Sequence, residues 1–284
     1  MSNDQIRSVC LKNCEQWVLH SDIVGLDYEI SVGHPPDWMP AQSCYPVVYL
    51  LDSDASFGLI YNMIRMLNVT GELPAIILVG IGYPEDDLES FANRRLQDFT
   101  PSVDKDYKKI WESELALVEN GGGAEKFLDF LRHELFPKIG EKYAVKENDR
   151  TLIGHSLAGL FALYTLLQAP LIFKRYVVGS PAIFWDDGFL WRHEKNYAAE
   201  NESLCARVFI GVGGDEDKKP LHFPEDKRKK MADISLINDV KKMAALLTRR
   251  KYIDLELDSK IFENETHMSV IAPCISQGLR HVFY

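Results

Sequence analysis

Short, nearly unbroken apolar runs recur along the chain, separated by longer stretches with helical spacing. The runs are Pro46–Leu51 (PVVYLL), Ala75–Ile81 (AIILVGI), Arg150–Ile153 (RTLI), Arg175–Val178 (RYVV), Arg207–Val212 (RVFIGV) and Ile253–Phe262. Strands covered on both faces of a parallel sheet read this way, because neither face alternates with polar residues. Two earlier segments, Glu15–Ser21 and Leu26–Val32, do alternate and predict a half-buried antiparallel pair at a sheet edge. Phe57–Asn68, Ala124–Tyr143, Leu157–Gln168, Lys229–Arg250 and Ser269–Phe283 carry the helical period. Strand–helix alternation of this kind predicts an α/β fold: a mostly parallel central sheet with helices on both faces. No repeat or low-complexity tract interrupts it, so residues 1–284 are expected to form a single domain. Leu88–Tyr107 and Trp185–Asn201 lack a clear period and are expected to be irregular, cap-like segments near the active site.

Composition narrows the class. The chain has 284 residues, 46% hydrophobic and 26% charged, enough to bury a large core in one soluble unit. Net charge is −10, and a field of that sign repels phosphate backbones, so nucleic acid is not an expected partner. The short basic clusters Arg228–Lys230 and Arg249–Lys251 read as a solvated helix face. No apolar run approaches the roughly 20 residues of a membrane span. The opening MSNDQIRSVCLKNC has no basic region followed by an apolar stretch, so no secretory leader is expected. The five cysteines are odd in number and form no C-x-x-C pair. Buried, inert thiols and a reducing cytoplasm are expected. The eight histidines show neither H-x-x-x-H nor H-E-x-x-H spacing, so no metal is expected. Gly121–Gly123 lacks the context of a phosphate loop and reads as a turn, so no cofactor is expected either.

The chemistry concentrates at Thr151–Gly159, TLIGHSLAG. An apolar strand runs into G-H-S-L-A and straight into the apolar helix LFALYTLL. A G-x-S-x-[GA] match occurs by chance in about one chain in five of this size. The flanking strand and helix are what make it informative. A nucleophile elbow perches its serine on a strained strand-to-helix turn, so the residues two before and two after must be small. Gly154 and Ala158 meet that need around Ser156, with alanine in the more usual glycine place. His155 is expected to support the turn rather than to act as base.

Serine needs a base to take its proton, and in this fold the chain order is Ser, acid, His. His267 follows the last predicted strand and precedes the last helix, where the base belongs. His281, within that helix, and His222, in a proline-flanked loop, are weaker placements. The acid belongs after Arg207–Val212, where Asp215, Glu216 and Asp217 compete. Glu216 is favoured, then Asp217, then Asp215, and a Ser–His dyad without an acid is the other reading. Two backbone N–H groups should form the oxyanion hole. One is Leu157, after the nucleophile; the other comes from Asp52–Ala55, with Asp54 or its neighbour Ser53 as donor.

On these residues the chain resembles the putative esterase family of α/β-hydrolases, which includes enterobactin and salmochelin esterases, esterase D and feruloyl esterases. PVVYLLDSD resembles that family's strand and oxyanion loop, with Ser53 in the glycine position. Asn93–Pro101 (NRRLQDFTP) resembles its R-x-x-D-[FY]-T-P segment, GHSLAGLFAL its elbow, and Glu265–Val270 (ETHMSV) its E-T-H-G-S-V loop. The likeness extends from about residue 15 to residue 284. It implies the α/β-hydrolase fold, an ester substrate of small-molecule size and no cofactor. The nearest branch is that of siderophore esterases. The resemblance also aligns Glu216 with the family acid and implies a substrate-binding role for Arg95. Arg95 could equally form an ion pair with Asp98 or another acid. Met268 replaces a glycine of the family loop and is expected to narrow the pocket beside His267. Three readings of function follow: an ester hydrolase working through an acyl-enzyme, an acyltransferase on the same site, and a non-catalytic binding protein.

Overall fold

The computed structural model describes residues 10–105, 107, 121–218 and 225–284. Residues 1–9, which include most of the segment weighed as a leader, residue 106 and the loop holding His222 lie outside the described residues. The strands are β1 (Cys14–Ser21), β2 (Leu26–Gly33), β3 (Tyr45–Leu51), β4 (Ile77–Gly82), β5 (Val145–His155), β6 (Arg175–Gly179), β7 (Ser203–Gly213) and β8 (Ile253–Phe262). They form one 8-stranded sheet in the order β1-β2-β4-β3-β5-β6-β7-β8. β1 pairs antiparallel with β2 at one edge, and β2 antiparallel with β4; the remaining pairings are parallel.

The unbroken apolar runs are explained by what covers the two faces. In β3, Val47, Tyr49 and Leu51 pack into one apolar cluster, while Val48 and Leu50 pack into another on the opposite side. In β7, Val208, Ile210 and Val212 likewise face the first cluster and Phe209 the second. The side-chain period of two persists, but both phases are buried, so alternation disappears from the sequence. The exception is Ile253–Phe262, expected to be covered on both faces but found at the sheet edge, where only Phe262 is buried. The second cluster is completed by helices Ser53–Val69 and Ile271–Phe283, the first by the remaining longer helices. This is the α/β-hydrolase arrangement, a mostly parallel sheet between two helical layers.

Some local expectations need correction. Leu88–Phe99 is a helix, capped by Asp87, whose carboxylate accepts the Ser90 N–H at 2.8 Å. Its inward positions include Arg94 and Asp98, and buried polar residues hid the apolar stripe. Trp185–Glu200 is also helical beyond a left-handed kink at Asp186, Asp187 and Gly188. The two supposedly irregular segments are therefore mainly helical. Lys229–Arg250 is not one helix: a short turn Glu225–Lys230 ends, and Leu236–Arg250 restarts where the Ser235 hydroxyl caps Asn238 N–H at 3.2 Å. Ala124–Lys142 is helical throughout but passes through a π turn at Leu131–Leu135.

The helix Leu88–Phe99 is pinned to the sheet by a buried polar knot. Tyr28 donates its hydroxyl to Asp98 Oδ2 at 2.9 Å. Arg94 bonds the Asp27 carbonyl at 2.8 Å and Glu85 at 3.0 Å, and lies over the rings of Tyr28 and Tyr83. Asp98 Oδ1 has no partner. Burial pushes the Asp98 carboxyl up to about 7, against the opposing pull of the Tyr28 hydroxyl and the Arg94 charge. A carboxyl that titrates higher when folded than when unfolded supports folding in its protonated form. Its contribution is full below about pH 4 and is lost as the pH rises through about 7. Asp98→Asn, which keeps the neutral shape, should therefore gain on the wild type between about pH 4 and about pH 7. The gain is at most about 1.4 kcal/mol per pH unit in urea unfolding. Identical pH dependence of the two proteins would refute this.

Candidate active site

Strand β5 delivers Ser156 to the carboxyl rim of the sheet. The residue takes φ 61 and ψ −117, a conformation costly for anything but glycine, and Leu157 opens the next helix, Leu157–Gln168. The turn is closed by Ser156 N–H donating to the Gly179 carbonyl at 2.9 Å and by Ala182 N–H donating to the Ser156 carbonyl at 3.1 Å. A side chain at Gly154 would strike the Ala158 carbonyl, which is why that position must be glycine.

His267 sits on the loop between β8 and the helix Ile271–Phe283. Its Nε2 lies 3.1 Å from Ser156 Oγ, and its Nδ1 lies 2.7 Å from Glu216 Oε2. With Nδ1 protonated, the ring donates to the carboxylate and accepts from the serine hydroxyl, the tautomer a general base requires. The Glu216 side chain is fully buried and that of His267 is 37% exposed, so the base is open to solvent on one side while the acid is not. The loop carrying Glu216 is tied to the loop carrying His267: Gly214 N–H donates to the Phe262 carbonyl at 2.7 Å and Asp215 N–H to the Glu265 carbonyl at 3.0 Å.

The neighbouring acids point elsewhere. Asp215 pairs with Lys218 at 2.7 Å, and Asp217 accepts the Ser235 hydroxyl at 2.6 Å. His281 lies within the last helix, 3.9 Å from Asp258. His155 points its ring at His267, with centroids 4.6 Å apart, and both of its ring nitrogens are buried without a partner. Burial, and then the charges of His267 and Arg95, hold it well below the ordinary histidine range, so it is a neutral wall behind the base.

Leu157 is the first residue of the helix Leu157–Gln168 and Asp54 the second of Ser53–Val69, both in the first turn, where backbone N–H groups have no intrahelical acceptor. The Asp54 carboxylate accepts the Tyr83 N–H at 2.9 Å, anchoring the start of its helix to the end of β4. Burial raises the Asp54 carboxyl above its usual range. Arg95 reaches the same turn. Its Nε and Nη2 bond the two oxygens of Asp52 at 2.8 and 2.9 Å, and its guanidinium lies 5.3 Å from the Phe91 ring centre. The ion-pair partner is thus Asp52, not Asp98, which faces Tyr28. Asp52 itself takes φ 54.

Two roles went unnoticed in the sequence. Asp52, placed there only in the oxyanion loop, is the partner of Arg95, and Ser180, which lies in no motif, donates its hydroxyl to Glu216 Oε1 at 2.5 Å.

With this geometry in view, the relatives are informative. Residues 21–235 match the family model described as "Putative esterase". The chain is 28% identical over 262 residues to the ferri-bacillibactin esterase BesA of Bacillus subtilis, covering 88% of this chain and 82% of that one. It is 27% identical over 296 residues to the siderophore triacetylfusarinine C esterase of Aspergillus fumigatus, covering 99% and 96%. Among solved structures, the BES protein from Bacillus cereus superposes with a TM-score of 0.80 at 28% identity over 100% of both chains. Among the described residues no helix is long and apolar enough to cross a membrane.

The Arg95–Asp52 pair is largely shielded, with side chains 18% and 15% exposed, and removing one partner strands the other. Arg95→Met should therefore lower the free energy of urea unfolding by about 2–4 kcal/mol. An arginine that served substrate alone would leave the unfolding midpoint unchanged.

Proposed function

This chain belongs to the putative esterase family of α/β-hydrolases and is an ester hydrolase; from that premise we propose that Ser156, His267 and Glu216 are its catalytic triad. What supports the assignment is the continuous line of hydrogen bonds from serine through imidazole to a buried carboxylate, 3.1 and 2.7 Å. Ser156 Oγ attacks the ester carbonyl as His267 Nε2 takes its proton. The bond to the alcohol breaks, and Nε2 returns the proton to the departing oxygen. Water then attacks the acyl-enzyme with His267 again as base, releasing the carboxylic acid and restoring Ser156. Glu216 holds the tautomer and steadies the imidazolium. Leu157 and Asp54 N–H groups receive the oxyanion, each donor being worth roughly 10²–10³ in rate.

The substrate is a small-molecule siderophore ester in this reading, supported by the two named siderophore esterases that span most of the chain. Arg95 contributes a substrate contact through Nη1, the guanidinium nitrogen that Asp52 does not take. The whole chain acts as one domain. The five free thiols, of which only Cys274 is buried as expected while Cys10 and Cys205 are exposed, favour a reducing compartment, the cytoplasm. Acyl transfer to another alcohol and non-catalytic binding have less support, because the named relatives are esterases.

Ser156→Ala should abolish turnover of a p-nitrophenyl ester and labelling by a fluorophosphonate; activity at the wild-type rate rejects the triad. Glu216→Gln should lower kcat by about 10⁴, on the scale seen when a triad acid is neutralised, and Asp217→Asn should change it little. A reversal of those two results moves the acid to Asp217. A panel of trilactone siderophores, feruloyl esters and short-chain esters tests the substrate: kcat/KM should be highest for the siderophores, and a preference for either other class sinks that assignment.

A further inference from the structure

Nine described non-glycine residues have positive φ. Six are Asn or Asp, which tolerate the left-handed region: Asn13, Asp52, Asp186, Asp187, Asp254 and Asn264. Lys251 ends the helix Leu236–Arg250, where that conformation is common. The two left are Ser156 and Ser180, with φ 61 and φ 43. A nucleophile elbow accounts for the first. Nothing in the triad accounts for the second.

Ser180 follows β6 directly and is completely buried. Its N–H is pinned to the Gly211 carbonyl at 2.7 Å. That backbone setting aims the hydroxyl at Glu216 Oε1, 2.5 Å away. The same oxygen accepts the Gly213 N–H at 2.6 Å, while Oε2 faces His267. Each carboxylate oxygen thus has a separate duty, and rotation of the carboxylate would break three hydrogen bonds at once. A glycine would suit the backbone better at this position but could not supply the donor.

We propose that Ser180 is a positioning residue, whose hydroxyl locks the Glu216 carboxylate so that Oε2 alone meets His267. The inference rests on the triad reading of Ser156, His267 and Glu216. Removing the donor frees the carboxylate to rotate and concentrates its negative charge on Oε2. The first effect weakens the orientation of His267; the second steadies its protonated form.

The test measures p-nitrophenyl ester hydrolysis as a function of pH for wild type, Ser180→Ala, Ser180→Gly, Ser180→Cys and Ser156→Ala, with folding checked by circular dichroism. Loss of one hydrogen bond to a charged group corresponds to a fall in kcat of about 10-fold to 100-fold. That fall is expected in both Ser180→Ala and Ser180→Gly with little change in KM, and Ser180→Cys, a weak donor, should lie between them and the wild type. The rising limb of kcat/KM should move to higher pH. Ser180→Gly guards against misfolding, since glycine adopts positive φ freely. Wild-type kcat in a folded Ser180→Ala or Ser180→Gly protein overturns the proposal, as does a fall in kcat with an unmoved pH limb, which marks a purely structural serine. An active Ser156→Ala protein instead overturns the triad reading itself, so the two failures are distinct.

Discussion

A carboxylate removed from water must be met by donors, and at the rim of the sheet Glu216 meets that demand from three sides. Its side chain is fully buried, and its partners are Ser180, Gly213 and His267. These come from the end of β6, the end of β7 and the loop after β8. Parallel pairing brings the three together, because Gly179 lies beside Gly211 and Gly213 beside Phe262. One buried charge is satisfied only if three strands finish on the same rim. The sheet topology and the site are therefore two consequences of one arrangement, in keeping with the general placement of α/β sites at the carboxyl ends of strands.

How much of this the sequence disclosed depended on whether a signal was local. The inner strands were legible because both faces of the sheet are buried there, so their apolar runs stand out. The helix Leu157–Gln168 was legible to the residue because its content is almost wholly apolar and it starts directly after the Ser156 turn. Leu88–Phe99 was not, because its buried positions include Arg94 and Asp98, whose partners Asp27, Glu85 and Tyr28 lie elsewhere in the chain. Trp185–Glu200 was obscured by three consecutive left-handed residues. The same division holds within the site. Ser156 stands at a strand–helix junction, and the order of residues along the chain points to His267. Glu216 was favoured over Asp217 from its place after the strand, the family likeness aligned it with the family acid, and in the structure Asp217 turns to Ser235. The partner of Arg95 could not be read. Asp98 is close in sequence, but its helix faces it toward Tyr28, and the bidentate acceptor is Asp52 on a distant turn.

Backbone strain gathers at the carboxyl rim of the sheet. Asp52, Ser156 and Ser180 stand just past the ends of β3, β5 and β6, adjacent strands in the sheet, and all three have positive φ. Such conformations cost about 1–3 kcal/mol each. Glycine would relieve them, and this protein does use glycine nearby where only close approach is needed: a side chain at Gly213 would strike the Glu265 carbonyl. The strained positions differ in needing an oxygen on the side chain. Asp52 provides two acceptors for Arg95, Ser156 the hydroxyl within reach of His267, and Ser180 the donor to Glu216. A rigid sheet with both faces packed can hold these turns where a loop would relax them. Glycine thus marks the places on this rim where the backbone must come close, and strained serine and aspartate mark those where the side chain bonds a neighbour.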